Sequence, residues 1–182
     1  NLDAIDKVKS EMKNAEIYSH YCDVTKDNSC EDAFEWIEKT LGGVDILVNN
    51  AGAYKYIGTL EYQKPMAELQ THIDVNFTGI IRCARLAFKS METRDAYGYI
   101  INIDCVYGHY VFPIKDVQIG AYGGAKFAVR ATSDVMRFEL NRLKNRKVRV
   151  TNLSPGVCDE TKQFSDSGMP QKVEETFFVN PT

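Results

Sequence analysis

The stretch VDILVNNAG, Val44 to Gly52, decides the fold of this chain. Val44, Ile46, Leu47 and Val48 form a short apolar run that closes on turn-forming residues, the pattern of a buried strand. YGYIINIDC (97–105) repeats it, and so does KVRVTNL (147–153), closed by Ser154-Pro155-Gly156. Helical patterns separate these runs. Residues 29–41 read as a helix with Asn28 or Ser29 as its N-cap. A longer one starts near Pro65, a good first-turn residue, and steps through Met66, Leu69, Ile73, Ile80, Ala84, Ala87 and Met91 on one stripe. Another runs from about Ala121 to Leu143. Upstream, residues 3–13 read as a helix through Ile5, Val8 and Met12, and EIYSHYC (16–22) as a further strand. Strands alternating with helices predict right-handed crossovers and a mostly parallel sheet, an α/β fold in one domain over 1–182. In such sheets a ligand sits beyond the carboxyl ends of the strands.

Composition narrows the function. The chain has 182 residues, 44% hydrophobic and 26% charged, enough for one domain with a sizeable core. A net charge of -3 argues against a nucleic-acid partner. No apolar run approaches the roughly 20 residues needed to span a bilayer, and the polar, helical start carries no signal-peptide pattern, so a cytoplasmic protein is expected. The cysteines, Cys22, Cys30, Cys83, Cys105 and Cys158, are odd in number and lack a Cys-x-x-Cys pair, which fits reduced thiols. His20 and Cys22 would share one strand face, but no further ligands stand at useful spacing, so no metal site is expected.

The stretch GAYGGAKFAV (120–129) holds the chemistry. Tyr122 and Lys126 stand four apart, on one helical face, among small residues. A free phenol titrates near pH 10 and is a poor catalyst at neutrality. An ammonium group about 4 Å away, at an effective dielectric near 20, favours the phenolate by roughly 4 kcal/mol. The tyrosine could then exchange protons near pH 7. Taken alone, the spacing is so common that a surface Tyr and a solvated Lys are the better reading. Context favours the site: NNAG (49–52) follows a buried strand, Asn76 interrupts an apolar stripe, and Pro155-Gly156 follows the last strand. A buried asparagine must bond neighbouring backbone or serve a site.

Six segments, CDVT (22–25), DILVNNAG (45–52), DVNFTGIIRCAR (74–85), GYIINI (98–103), YGGAK (122–126) and RVTNLSPG (149–156), together resemble the short-chain dehydrogenase/reductase family, and more narrowly its farnesol-dehydrogenase-like branch. The resemblance implies a Rossmann-like three-layer sandwich and an NAD(P)-dependent oxidoreductase that interconverts an alcohol with a ketone or aldehyde, and it tilts the cofactor to NADP(H) over NAD(H). It assigns Tyr122 as the acid/base, Lys126 as the residue that holds the nicotinamide ribose and lowers the tyrosine pKa, and Asn76 as the anchor of a proton-relay water. Asp23 and Val24 match residues contacting the adenine, Asn49, Ala51 and Gly52 a segment lining the cofactor, and Pro155 and Gly156 the turn beside the nicotinamide. Such proteins often form homodimers through the two long helices, here about 65–91 and 121–143.

The chain departs from the family pattern in three places. Relatives end the fifth strand in a serine that donates to the substrate oxygen; here NIDC (102–105) puts Cys105 in that slot. A thiol is a weaker donor, and Cys105 is read either as a substitute orienting group or as a small buried filler. Asp104 adds a carboxylate whose effect the sequence does not sign. The loop from Cys105 to Tyr122 carries Tyr107, Tyr110, Val111, Phe112 and Pro113, which either wall an apolar substrate pocket, fit for a terpenoid or steroid alcohol, or pack on their own domain. Finally, the family's opening strand and glycine-rich turn do not appear, and NPT (180–182) reads as a helix onset cut short. The expectation is therefore a truncated domain whose first βαβ unit and last strand are absent. In the family's strand order 3-2-1-4-5-6-7, the strand at 44–50 becomes an exposed apolar edge, and either 16–22 moves into the vacancy or 1–42 hangs loosely. The rival function is a non-catalytic remnant that serves as a binding or oligomerising module.

Overall fold

The structure is a computed structural model that describes residues 2–12, 14–111 and 117–156. Three parallel strands form its sheet: β1 (Ile46–Asn49), β2 (Gly98–Ile103) and β3 (Val148–Leu153), paired in sequence order. Asn49 pairs with Asn102 and Asn102 with Asn152, so the three strand ends lie level.

Helices α2 (Asp27–Leu41), α4 (Gly79–Thr93) and α5 (Tyr122–Arg142) cover one face of this sheet. Alternate strand residues point into that layer: Leu47 from β1, Ile100 from β2, Val148 and Val150 from β3. They meet Cys83, Ala84, Ala87 and Met91 of α4, Leu140 of α5, and Cys30 and Phe34 of α2. Each large apolar side chain so buried contributes roughly 1.5–3 kcal/mol. On the opposite face Ile46, Val48 and Leu153 stand exposed. The parallel sheet and its helical layer are as the sequence implied, and β1 is an apolar edge.

Several local expectations give way. Residues 16–22 form no strand. A strand needs a ladder partner for its backbone, and among the described residues β1 pairs with β2 alone. The segment is instead held by its rings: His20 stacks on Trp36 of α2 at 4.8 Å, and Tyr18 meets the same ring edge-on. It fills no vacancy in the sheet, and α2 does not hang loose, because it is part of the core. That helix starts at Asp27 after an extended Lys26, earlier than expected, and Ser29 accepts the Asp23 backbone N–H instead of capping. It stops at Gly42, whose φ of 83° suits glycine, with the Gly42 N–H returning to Glu38 O. The upstream helix α1 (Leu2–Glu11) leaves Val8 and Met12 exposed.

The long helix expected from Pro65 is not continuous. It comprises α3 (Met66–Ile73), a π-helical turn (Asp74–Thr78) and α4. The turn centres on Asn76, whose side chain reaches sideways to another segment. A short 3-10 turn follows β2 at Val106–Gly108. No helix among the described residues is long and apolar enough to cross a membrane. Phe112, Pro113, Cys158 and the 180–182 stretch lie outside the described residues.

Candidate active site

A row of buried amides crosses the carboxyl ends of the strands. Asn49 Nδ2 donates to Asn102 Oδ1 at 2.8 Å, and Asn102 Nδ2 donates to Ser133 Oγ of α5 at 2.9 Å. The Ser133 hydroxyl stands 2.8 Å from Val129 O and 3.3 Å from Asn152 Oδ1, and Asn152 Nδ2 donates to Asp104 Oδ2 at 2.7 Å. Asn102 and Ser133 are fully buried, so every bond here replaces one that water would otherwise make. The row ties α5 to all three strands at one edge. Beyond it lie the turns: Ala51 and Gly52 exposed after β1, Asp104 N–H on Leu153 O, and Val106 N–H on Pro155 O, which draws the β2 and β3 turns together.

Tyr122 and Lys126 open α5 at this edge, and both are buried, 6% and 4% exposed. Lys126 Nζ donates to Ile103 O at 2.9 Å and lies 5.6 Å from the centre of the Tyr122 ring. The pair therefore faces each other and the strand tips. Burial pulls the Lys126 pKa below its usual value, against the pull of Asp104 and Cys105, which favour the charged form. Gly120 makes the entry turn at φ 49°; a Cβ there would stand 2.7 Å from Ile57 O.

Tyr122 sits in an aromatic cluster. Tyr54, Tyr107 and His72 lie at ring-centre distances of 5.6, 6.5 and 6.1 Å, all edge-on. The Tyr54 hydroxyl bonds Gln118 O, and burial raises the Tyr54 pKa beyond its ordinary range. His72 Nε2 accepts the Lys55 N–H at 2.8 Å, so the neutral ring carries its proton on Nδ1. Burial keeps its pKa below 6.5. Cys105 packs half-buried against the tyrosine cluster, which puts the serine slot beside Tyr122. The loop beyond divides: Tyr107 is buried on its own domain, whereas Tyr110 and Val111 are exposed. Val111 comes within 3.6 Å of where a Gly123 Cβ would be, over the start of α5.

Asn76 serves its surroundings. Its Oδ1 accepts the Ala53 N–H at 3.1 Å, and its Nδ2 donates to Ala53 O at 2.6 Å and His72 O at 3.0 Å. The side chain thus staples the turn after β1 to the π-helical turn. Asp23 and Val24 reach the same edge from the other side. The Asp23 carboxylate accepts the N–H and hydroxyl of Thr25, which lowers its pKa. Val24 lies against Gly79, where a Cβ would stand 2.9 Å from Val24 Cγ2, and its carbonyl accepts from Arg82. The next residue, Ile80, offers its carbonyl to Asn49 Nδ2 at 3.5 Å. The structure thus gathers Asp23, Val24, Asn49, Ala51, Gly52, Asn76, Cys105, Tyr122, Lys126 and Pro155–Gly156 along one edge.

Sequence reasoning passed over Asn102, Ser133, Asn152, His72 and Tyr54. One signal was available: all three strands carry an asparagine near the carboxyl end, at 49, 102 and 152.

A short chain dehydrogenase family model matches residues 1–171. Farnesol dehydrogenase from Aedes aegypti is 35% identical over 156 residues, 86% of this chain and 62% of the relative. A short-chain type dehydrogenase/reductase from Mycobacterium marinum superposes with TM-score 0.77 at 29% identity, covering 86% of this chain and 59% of that one. The closed form of serine dehydrogenase complexed with NADP+ gives TM-score 0.78 at 27% identity, covering 99% and 69%. The chain thus spans about three fifths of the first two.

Proposed function

The chain belongs to the short-chain dehydrogenase family, and from that premise we propose that it works as an NAD(P)-dependent oxidoreductase interconverting an apolar alcohol with its ketone or aldehyde. One observation carries the reading: Tyr122 and Lys126 are buried together at the carboxyl edge of the sheet, the ammonium facing the phenol ring at 5.6 Å. An ammonium held beside the ring favours the phenolate over the neutral phenol. Tyr122 gives a proton to the carbonyl oxygen in reduction and takes it from the hydroxyl in oxidation. A nicotinamide, when bound, supplies or accepts the hydride at the neighbouring carbon.

The residues present fit the nicotinamide half of such a cofactor. Lys126 spends one of its three donors on Ile103 O, which leaves donors for ribose hydroxyls. Asn49, Ala51 and Gly52 on one side and Pro155 and Gly156 on the other flank the space, and a Cβ at Gly156 would meet nothing within 4 Å. Asp23 and Val24 would take the adenine end. The serine dehydrogenase structure that resembles this chain holds NADP+, which supports NADP(H) as the cofactor. Cys105 orients the substrate oxygen through its thiol, and Tyr110 and Val111 wall an apolar substrate, in keeping with the farnesol dehydrogenase likeness. The cytoplasm is the setting, and a homodimer forms through the two long helical segments, about 65–91 and 121–143, the second of which exposes Phe138 and Leu143.

Fluorescence titration with NADPH and NADH tests the core of this. Saturable binding is expected, tighter for NADPH and weakened in Lys126→Met. No saturation by either nucleotide would return the chain to a non-catalytic binding or oligomerising module. Cys105→Ser should raise turnover, because a hydroxyl is the stronger donor; an unchanged rate removes Cys105 from the site.

A further inference from the structure

We propose that Asp104 is the built-in counter-ion of Lys126, a positioning residue that keeps the buried amine protonated and so able to act on the Tyr122 phenol. The inference rests on the roles given above to Tyr122 and Lys126. Asp104 is 4% exposed, as is Lys126. Lys126 Nζ is bonded to the carbonyl of Ile103, the residue directly before Asp104, so the buried ammonium is anchored one residue along β2 from the buried carboxylate. The carboxylate cannot swing away. Its Oδ2 accepts from Asn152 at 2.7 Å at the end of the amide row. Gly108 closes over it: a Cβ there would stand 2.4 Å from Oδ2. The other oxygen, Oδ1, is buried with no hydrogen-bond partner among the described residues.

A buried carboxylate with an unpartnered oxygen is unfavourable unless a charge offsets it. We assign that charge to Lys126 of α5, which acts on the carboxylate through space and not as a direct ion pair. Burial pushes the Asp104 pKa up, against the Asn152 bond, Lys126 and His109, while burial pulls Lys126 down and Asp104 is the first group to oppose it. Each ion thus limits the other's tendency to become neutral. The remaining groups around Asp104 are the Cys105 thiol, which also favours charged Lys126, His109 of the following loop, and the neutral Asn152 of β3. A neutral Lys126 would no longer favour the phenolate, so Asp104 extends the pH range over which the tyrosine can work.

The test is an NMR titration of 15N-labelled Lys126 Nζ in the whole chain, with Asp104→Asn, which keeps the side-chain shape and an acceptor for Asn152. Loss of the carboxylate should move the Lys126 titration to lower pH, with proton dissociation roughly tenfold stronger. The alkaline limb of kcat/KM should move the same way. A Lys126 titration that stays in place, or one that moves while the alkaline limb does not, overturns the proposal. Should Asp104→Asn fail to fold, Asn152→Ala withdraws the bond that fixes the carboxylate; it should shift Lys126 in the same direction by less, and no shift is again fatal. The amine titration needs no turnover. A shifted Lys126 in a parent chain without dehydrogenase activity would therefore count against the catalytic reading and leave the charge coupling standing.

Discussion

Across the waist of the sheet, Ile100, Val148 and Val150 press on Ala87 and Met91, whereas two residues further along the same strands Asn102 and Asn152 are linked by hydrogen bonds. The waist is dry and non-directional. It accepts any side chain of suitable shape, at an energy set by area and by cavities. The edge is directional: Asn49, Asn102, Ser133, Asn152 and Asp104 each depend on a partner from another segment. A slip of one residue in strand pairing would break the row and turn its members to the other face. The proposed chemistry sits only at the edge, where the geometry is fixed by bonds and not by packing alone.

The sharpest way to break this comparison is Tyr122→Phe. It removes one oxygen from the edge and leaves the waist untouched. Turnover should fall by about 10²–10⁴, measured as kcat, with thermal stability nearly unchanged; retained turnover would remove Tyr122 from the chemistry. Met91→Ala attacks the waist. Met91 is 0% exposed and rests on Gly98, where a Cβ would stand 2.3 Å from its sulfur. Chemical denaturation should show a loss of about 2–5 kcal/mol. Asn102→Ala attacks the edge and removes the shorter of the two hydrogen bonds of Asn49 Nδ2. A loss of about 1–3 kcal/mol is expected. A change within the scatter of surface substitutions would mean that the row is ornamental to stability.

The smallest effect is a pH dependence that belongs to the edge alone. Burial holds the His72 pKa below 6.5, so the unfolded chain binds a proton more readily than the folded one. Its contribution to stability is complete above about pH 6.5 and is lost as pH falls through the depressed folded value. Asp104 has the opposite sign: its raised pKa, caused by burial, makes the folded state the tighter proton binder, and stability gains as pH falls towards 3.8. His72→Gln should flatten the fall of Tm below pH 6.5, and an unaltered slope would assign it to another group.

What the sequence made legible follows from range. The runs at 46–49, 98–103 and 148–153, and the Tyr122–Lys126 step, are local patterns, and they stand where the spacing puts them. The EIYSHYC segment carries the strand formers Ile17, Tyr18 and Tyr21, yet pairing needs a neighbour that no local pattern announces. The π-helical turn at Asn76 was hidden because steps of three and four continue through it; its cause, Ala53, lies in another segment. The amide row depends on register between strands about 50 residues apart in sequence, so each asparagine looks like an ordinary strand end on its own. The sign of Asp104 needed the burial of Lys126, a property of the folded molecule.

The π-helical turn at Asp74–Thr78 holds a consequence of its own. Such a turn contains one residue more than the helix around it can use. Deleting a single position there would heal the ladder into an unbroken α-helix, and every side chain upstream of the cut would rotate by about 100° relative to α4. The smoother helix would swing α3 and His72 away from the turn that Asn76 clasps. At this one spot the most regular backbone and the working arrangement are alternatives, and the surplus residue is what selects between them.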